Sequence, residues 1–157
     1  MRDDAKAMKI AIERARAGVD AGQSPFGCSI YEGETLVAAA HNSVWRDCDP
    51  NAHAEVNAIR LAARVLKRID LTGCVLYTTC EPCPMCLTAC HWAKVDEVVF
   101  GATIEDAAEA GFKELFISAA DMVKRGKSPL RVRRGPEQAQ CISLFNYWKE
   151  NGKSENY

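Results

Sequence analysis

The sequence predicts an α/β fold, a three-layer α/β/α sandwich around one five-stranded mixed sheet. Three observations carry that reading. Segments with helical and strand periodicity alternate along the chain. The first two strand segments are joined by Glu32-Gly33-Glu34, a tight turn that makes them an antiparallel pair. A strand–helix–strand unit from Cys74 to Gly101 then implies a parallel pair with a right-handed crossover. The 157 residues are 48% hydrophobic and 26% charged, ordinary values for one globular domain of ~100–200 residues. A chain of this size buries about two-thirds of its unfolded surface and needs no disulfide staples. Disorder, collagen and coiled coil are excluded as the main description.

Asp3 to Ala21 reads as a helix, with Ala7, Ile10, Ala11 and Ala15 at helical spacing, Asp3 or Asp4 as cap and Gly22 as terminator. Phe26 to Tyr31 and Thr35 to His41 are the hairpin strands. A second helix is predicted over 52–67, capped by Asn51, with Val56, Ile59, Ala63 and Leu66 on its apolar side. Cys74 to Thr79 is a β-rich run after Gly73. Pro82 and Pro84 open the next helix, which runs to Ala93. Val95 to Gly101 is a strand centred on Val98-Val99-Phe100. Beyond it a helix over 115–124, a short strand over 130–134 and a helix over 136–149 complete the chain, the last burying Ile142, Leu144, Phe145 and Trp148. No repeat, linker or low-complexity stretch divides it.

Twenty Lys and Arg oppose 21 Asp and Glu, a net charge of −1, so there is no general excess of positive charge for a phosphate backbone. The basic stretch from Lys124 to Arg134 is the feature that would favour nucleic acid; a solvated face is the commoner reading of such a run. Neither a secretory signal nor a membrane span is legible, and a cytoplasmic location is expected. Four of the eight cysteines, Cys80, Cys83, Cys86 and Cys90, fall within eleven residues, spacing that suits a metal better than disulfides.

His53-Ala54-Glu55 and Cys83-Pro84-Met85-Cys86 both fall at predicted helix starts. One imidazole and two thiolates are three zinc ligands, and a fourth position open to water distinguishes a catalytic from a structural zinc. Helix N-termini favour the thiolate. A carboxylate beside such water is the proton shuttle hydrolytic zinc chemistry needs. Residues two apart on an ideal helix project roughly 200° from each other, however, so spacing alone does not aim His53 and Glu55 at one point.

These segments, with Pro25-Phe26-Gly27, His41-Asn42, Leu76 to Cys86 and Val98 to Gly101, resemble the signature of the cytidine-deaminase-like zinc deaminases. Asp106-Ala107-Ala108-Glu109-Ala110-Gly111-Phe112, Thr79-Cys80-Glu81-Pro82-Cys83 and the aromatic Tyr157 are similar to the bacterial guanine deaminase branch. The resemblance implies that 1–157 is a single zinc-dependent deaminase domain. It implies a homodimer in which the C-terminal segment, about 136–157, is exchanged onto the partner subunit. It further implies Zn2+ on His53, Cys83 and Cys86, and Glu55 as proton shuttle for hydroxide attack on the amino-bearing carbon. Asn42, the backbone of Ala54, Phe26, Glu114 and Tyr157 would contact a small nucleobase or nucleoside. Glu114 stands where the most familiar guanine deaminase pattern has Asp, which leaves guanosine or an aminotriazine open beside guanine. A tRNA adenosine deaminase, a cytosine or cytidine deaminase, and a structural zinc module with Cys80 or Cys90 as fourth ligand remain alternatives.

Overall fold

The structure, a computed structural model, describes residues 3–157. Helix α1 (Asp4–Asp20) starts at Asp3, whose carboxylate accepts from the Lys6 amide. The hairpin β1 (Gly27–Glu32) and β2 (Thr35–His41) follows, turning at Gly33, whose φ of 60° suits a residue without a Cβ. A short helix α2 (Val44–Asp47) precedes α3 (Ala54–Leu66), β3 (Cys74–Cys80), α4 (Pro84–Trp92) and β4 (Glu97–Ala102). Helices α5 (Ile104–Glu109) and α6 (Ala119–Gly126), β5 (Arg131–Arg134) and α7 (Gln138–Asn151) complete the chain.

The five strands form one mixed sheet, as the alternation of elements predicts, and the structure gives their order as β2-β1-β3-β4-β5. β1 is antiparallel to both β2 and β3, whereas β3/β4 and β4/β5 are parallel. β3 is buried at every residue because helices cover both its faces. Its odd-numbered Val75 and Tyr77 pack with α1 and α7, and its even-numbered Cys74 and Leu76 pack with α3 and α4. The period of two also aims Thr78 at the α3 side, where the chemistry lies. Gly27 lets β1 press against α1: a Cβ there would overlap the Ala11 carbonyl and sit 3.0 Å from the Ala15 Cβ.

Four sequence expectations are corrected. The helix expected over 52–67 begins at Ala54 with His53 as its N-cap, not Asn51; the Asn51 amide instead donates to Asp49, 2.8 Å away, in the preceding turn. The helix expected over 115–124 starts only at Ala119, because the Ser118 hydroxyl accepts from the Asp121 amide and fixes the first turn there. Helix α5 is an additional element, inside a segment that the sequence marks only as a motif. In α7 it is Cys141, rather than Ile142, that joins Leu144, Phe145 and Trp148 in the core. Among the described residues no helix is long and apolar enough to cross a membrane.

Candidate active site

The chemistry-bearing side chains meet at one end of the sheet, where β3 and β4 present their carboxyl ends, the usual ligand side of such sheets. α3 and α4 start there, and each is capped by a residue whose backbone is extended: His53 (φ −67°, ψ 157°) and Cys83 (φ −61°, ψ 165°). Neither side chain makes a capping hydrogen bond. His53 Nδ1 lies 3.4 Å from Cys86 Sγ and 3.7 Å from Cys83 Sγ. Because His53 precedes the helix, the 200° objection lapses: His53 is aimed by extended backbone, and Glu55 by the first turn of α3.

Glu55 is buried. One carboxylate oxygen accepts from Thr78 Oγ1 at 2.8 Å and the other lies 3.3 Å from Cys86 Sγ. Burial is the main cause that raises its pKa, with the His53 imidazole opposing. Cys83 is shifted the other way, to about 4, first by its hydrogen bond with Cys86 and then, against burial, by His53. A cysteine biased toward thiolate beside an imidazole is a metal-ready donor pair.

A tetrahedral zinc with Zn–N of about 2.0–2.1 Å and Zn–S of about 2.3 Å separates its nitrogen and sulfur ligands by roughly 3.5 Å. The observed 3.4 and 3.7 Å fit, and the donor atoms of His53, Cys83 and Cys86 all lie within 4.8 Å of one another. Neither Cys80 nor Cys90 belongs to this group. Cys80 Sγ donates to the Thr103 carbonyl at 3.4 Å, Cys90 is fully buried in the core, and burial raises the pKa of both thiols. Three protein ligands would leave a coordination position for water, the donor count found in catalytic zinc sites.

A cavity of about 290 Å³ opens onto this group. Phe26, His53, Glu55, Cys83, Glu114 and Tyr157, all candidate site residues from the sequence, line it. Phe26 is both wall and core, its ring 4.9 Å from that of Phe112 and 6.0 Å from that of Phe145. Glu114 is half-buried, and burial together with the negative charge of Cys83 raises its pKa to about 7. Asn42, Ala54 and Cys86 stand behind the cavity wall. Asn42 is fully buried; its Oδ1 accepts from the Val44 amide at 3.1 Å and its Nδ2 donates to the Tyr157 hydroxyl at 2.6 Å. Tyr157 thus reaches the pocket of its own chain, with its ring 5.9 Å from that of His53 and 6.2 Å from that of Phe112. Glu81, Lys113 and Met85 also line the cavity; sequence reasoning assigns them no role, although Glu81 stands inside the quoted motif. His91 and Trp92, at the end of α4, do not line this cavity, and Trp92 is exposed. Of the basic stretch, Arg133 is held by Asp4 and Glu97, and Arg134 donates to the Gly101 carbonyl.

Comparison with known proteins agrees with this arrangement. Residues 1–102 match the model of the cytidine and deoxycytidylate deaminase zinc-binding region. The guanine deaminase of Bacillus subtilis (strain 168) is 49% identical over 155 residues, covering 96% of each chain. The solved guanine deaminase of Nitrosomonas europaea superposes with a TM-score of 0.87 at 27% identity, over 96% of this chain and 86% of that one. A solved mutant protein in complex with 8-azaguanine gives the same TM-score at 28% identity, over 95% of this chain and 85% of that one. With a His/Cys/Cys group able to hold a metal ion and a match to a zinc-binding family model, zinc is the cofactor this site is built to hold, and the chain belongs to the cytidine and deoxycytidylate deaminase zinc-binding family.

Proposed function

We propose that the protein is a zinc-dependent aminohydrolase that converts guanine and water to the 2-oxo purine and ammonia. The observation that carries this reading is the placement of two carboxylates on one cavity: Glu55, buried beside the His53–Cys83–Cys86 group, and Glu114 on the wall. Bound zinc would lower the pKa of a water at its open position. In the proposed reaction Glu55 would take one proton as the water oxygen bonds to C2 and pass it to the adjacent ring nitrogen. It would then take the remaining proton of that oxygen and hand it to the amine, which leaves as ammonia as the C2–N bond breaks and the C2 oxo group forms. Thr78 keeps one Glu55 oxygen oriented throughout.

The Val44 amide fixes which way the Asn42 carboxamide faces, so Nδ2 donates and is suited to a base carbonyl or ring nitrogen. The backbone amides of Ala54 and Cys83, each at a helix start, are the matching candidates for substrate and oxyanion. Phe26 supplies an apolar wall, and Glu114 as carboxylate accepts from the N–H groups on guanine's edge. We read 1–157 as one cytoplasmic deaminase domain acting as a homodimer. Its segment 136–157 would place Tyr157 over a partner's pocket through the same contacts it makes in cis.

The test is ammonia release from zinc-loaded protein across guanine, guanosine, deoxyguanosine, ammeline, cytosine, cytidine, adenine and a tRNA anticodon stem-loop. Guanine or a near relative turns over, and Glu114→Ala abolishes that turnover. Silence on every small molecule, with turnover of the stem-loop, overturns the reading.

A further inference from the structure

Glu81 lies on the loop that leaves β3 and delivers Cys83 and Cys86 to the metal, and its own amide donates to the Ala102 carbonyl at the end of β4, 2.8 Å away. Its side chain turns to a different part of the chain. One carboxylate oxygen accepts from the Ala119 amide at 2.9 Å, and the other from the Ile104 amide at 3.4 Å. Ala119 and Ile104 are the first residues of α6 and α5. Both amides belong to the class that has no partner within its own helix, and a carboxylate there is also favoured by the helix dipole. Thr103 and Ser118, the N-caps of the two helices, satisfy other amides of the same turns. One side chain therefore holds the starts of both helices, while the segment that returns the chain from α5 to α6 runs out to the pocket and back.

That segment, residues 110–118, carries Phe112 and Glu114 onto the cavity wall. It has no regular secondary structure, and Leu115, Phe116 and Ile117 on it are exposed. Local turns hold it internally: the Glu114 amide to the Phe112 carbonyl at 3.0 Å, and the Ile117 amide to the Leu115 carbonyl at 2.8 Å. Such bonds shape the segment without fixing its distance from the metal ligands. Phe112 anchors one side by packing on Phe26. The other side, from Glu114 to Ala119, depends on where α6 begins.

We infer that Glu81 is a positioning residue for substrate selection: it ties the start of α6 to the metal-ligand loop and thereby sets the reach from the His53–Cys83–Cys86 group to Glu114. This rests on the reading of Glu114 as the residue that grips the base edge. Glu81 acts without leaving its two amides, and a glutamine in its place can accept from only one of them while its NH2 opposes the other donor. The consequence is a Glu114 carboxylate that is present but misplaced, which weakens selection of the base more than proton transfer at Glu55.

The experiment is a double-mutant cycle on the zinc-loaded enzyme, with Glu81→Gln and Glu114→Ala alone and together, reading kcat and KM for guanine, zinc content, melting temperature and amide hydrogen exchange. Glu81→Gln is expected to raise KM about tenfold or more with a smaller change in kcat and full zinc occupancy, and to add little in the presence of Glu114→Ala. Amide exchange should speed up at 112–119 and stay unchanged in α3, and Glu81→Asp, which keeps the charge, should recover part of the KM loss. A merely structural Glu81 would lower the melting temperature and the apparent kcat, leave KM unchanged, and do so equally with and without the Glu114→Ala substitution; that outcome overturns the inference. An unchanged KM overturns it as well. Should the wild type prove inactive on guanine, the function reading fails first; the exchange rates at 112–119 then decide separately whether Glu81 tethers the segment, and unchanged rates sink it.

Discussion

Replacing Glu55 with glutamine tests the acid–base assignment with the least disturbance of the site. The substitution keeps the side chain's length and leaves His53, Cys83 and Cys86 intact. Its carbonyl oxygen retains the 2.8 Å bond from Thr78, and its NH2 faces the Cys86 sulfur, now 3.3 Å from a carboxylate oxygen. Zinc should therefore remain bound, and because the carboxylate it replaces is buried and carries a raised pKa, losing that charge should not destabilise the fold. Turnover is another matter. Positioned general acid–base catalysis contributes roughly 10²–10⁴-fold for one proton-transfer role, and in the proposed reaction Glu55 serves in succession as base and as acid. A fall in kcat of at least about 10⁴ is expected, equivalent to about 5.4 kcal/mol of lost barrier reduction, with KM for guanine within a few-fold of wild type. The assay is ammonia release at saturating guanine, with zinc stoichiometry measured on the same samples. A Glu55→Gln enzyme with full zinc and kcat within tenfold of wild type would refute the shuttle.

Glu114, with its pKa raised to about 7 by burial and the charge of Cys83, accepts at both oxygens only when ionised; once protonated, one oxygen becomes a donor and opposes a base N–H. kcat/KM for guanine should therefore fall as pH drops below about 7, and Glu114→Gln should remove that limb from the pH–rate profile; a limb that survives belongs to another group. Chelation should abolish turnover yet leave the far-UV circular dichroism largely intact, since none of His53, Cys83 and Cys86 belongs to the two apolar layers flanking the sheet; loss of the helical signal would instead mark a structural zinc. At Lys67, exposed and left-handed (φ 53°) at the C-cap of α3, Lys67→Gly should gain about 1 kcal/mol, seen as a melting temperature higher by about 2–4 °C. No gain would show that the lysine side chain compensates for its backbone conformation.

The sheet and the metal group are legible in the sequence because their signals are dense and local. Gly33 sits where the hairpin must turn, and the two residue triplets, His53 to Glu55 and Pro82 to Pro84, mark helix starts from sequence alone. Helix α5 is invisible to periodicity because six residues hold less than two turns, too few for an apolar period. Its signal is chemical: Thr103 and Asp106 form a capping box, with each side chain bonded to the other's backbone. The start of α6 is mistaken on apolar pattern because Leu115, Phe116 and Ile117 look like the buried side of a helix, whereas they are exposed and the cap that decides the boundary is Ser118. Propensity favours Asn51 as cap of α3; His53 takes that place although its side chain caps nothing.

That last exchange explains why the site lies where it does. A conventional cap satisfies an orphan amide with its own side chain, worth about 1 kcal/mol. His53 and Cys83 forgo that bond at both helices, and in each case the side chain is turned instead toward the same point, with Cys86 on the first turn of α4 completing the set. The extended backbone of a cap residue frees its side chain from the roughly 100° steps of the helix, so residues only two positions apart, His53 and Glu55, can address one point from different directions. At the start of α4 the backbone of Cys86 hydrogen-bonds the Cys83 sulfur, and at the start of α3 the backbone of Glu55 hydrogen-bonds its own carboxylate; each bond favours the charged form. Two caps without side-chain capping bonds thus turn His53 and Cys83 toward a single cavity that Glu55 also lines. A residue that restored conventional capping at position 53, such as serine, would be expected to steady α3 while removing the metal.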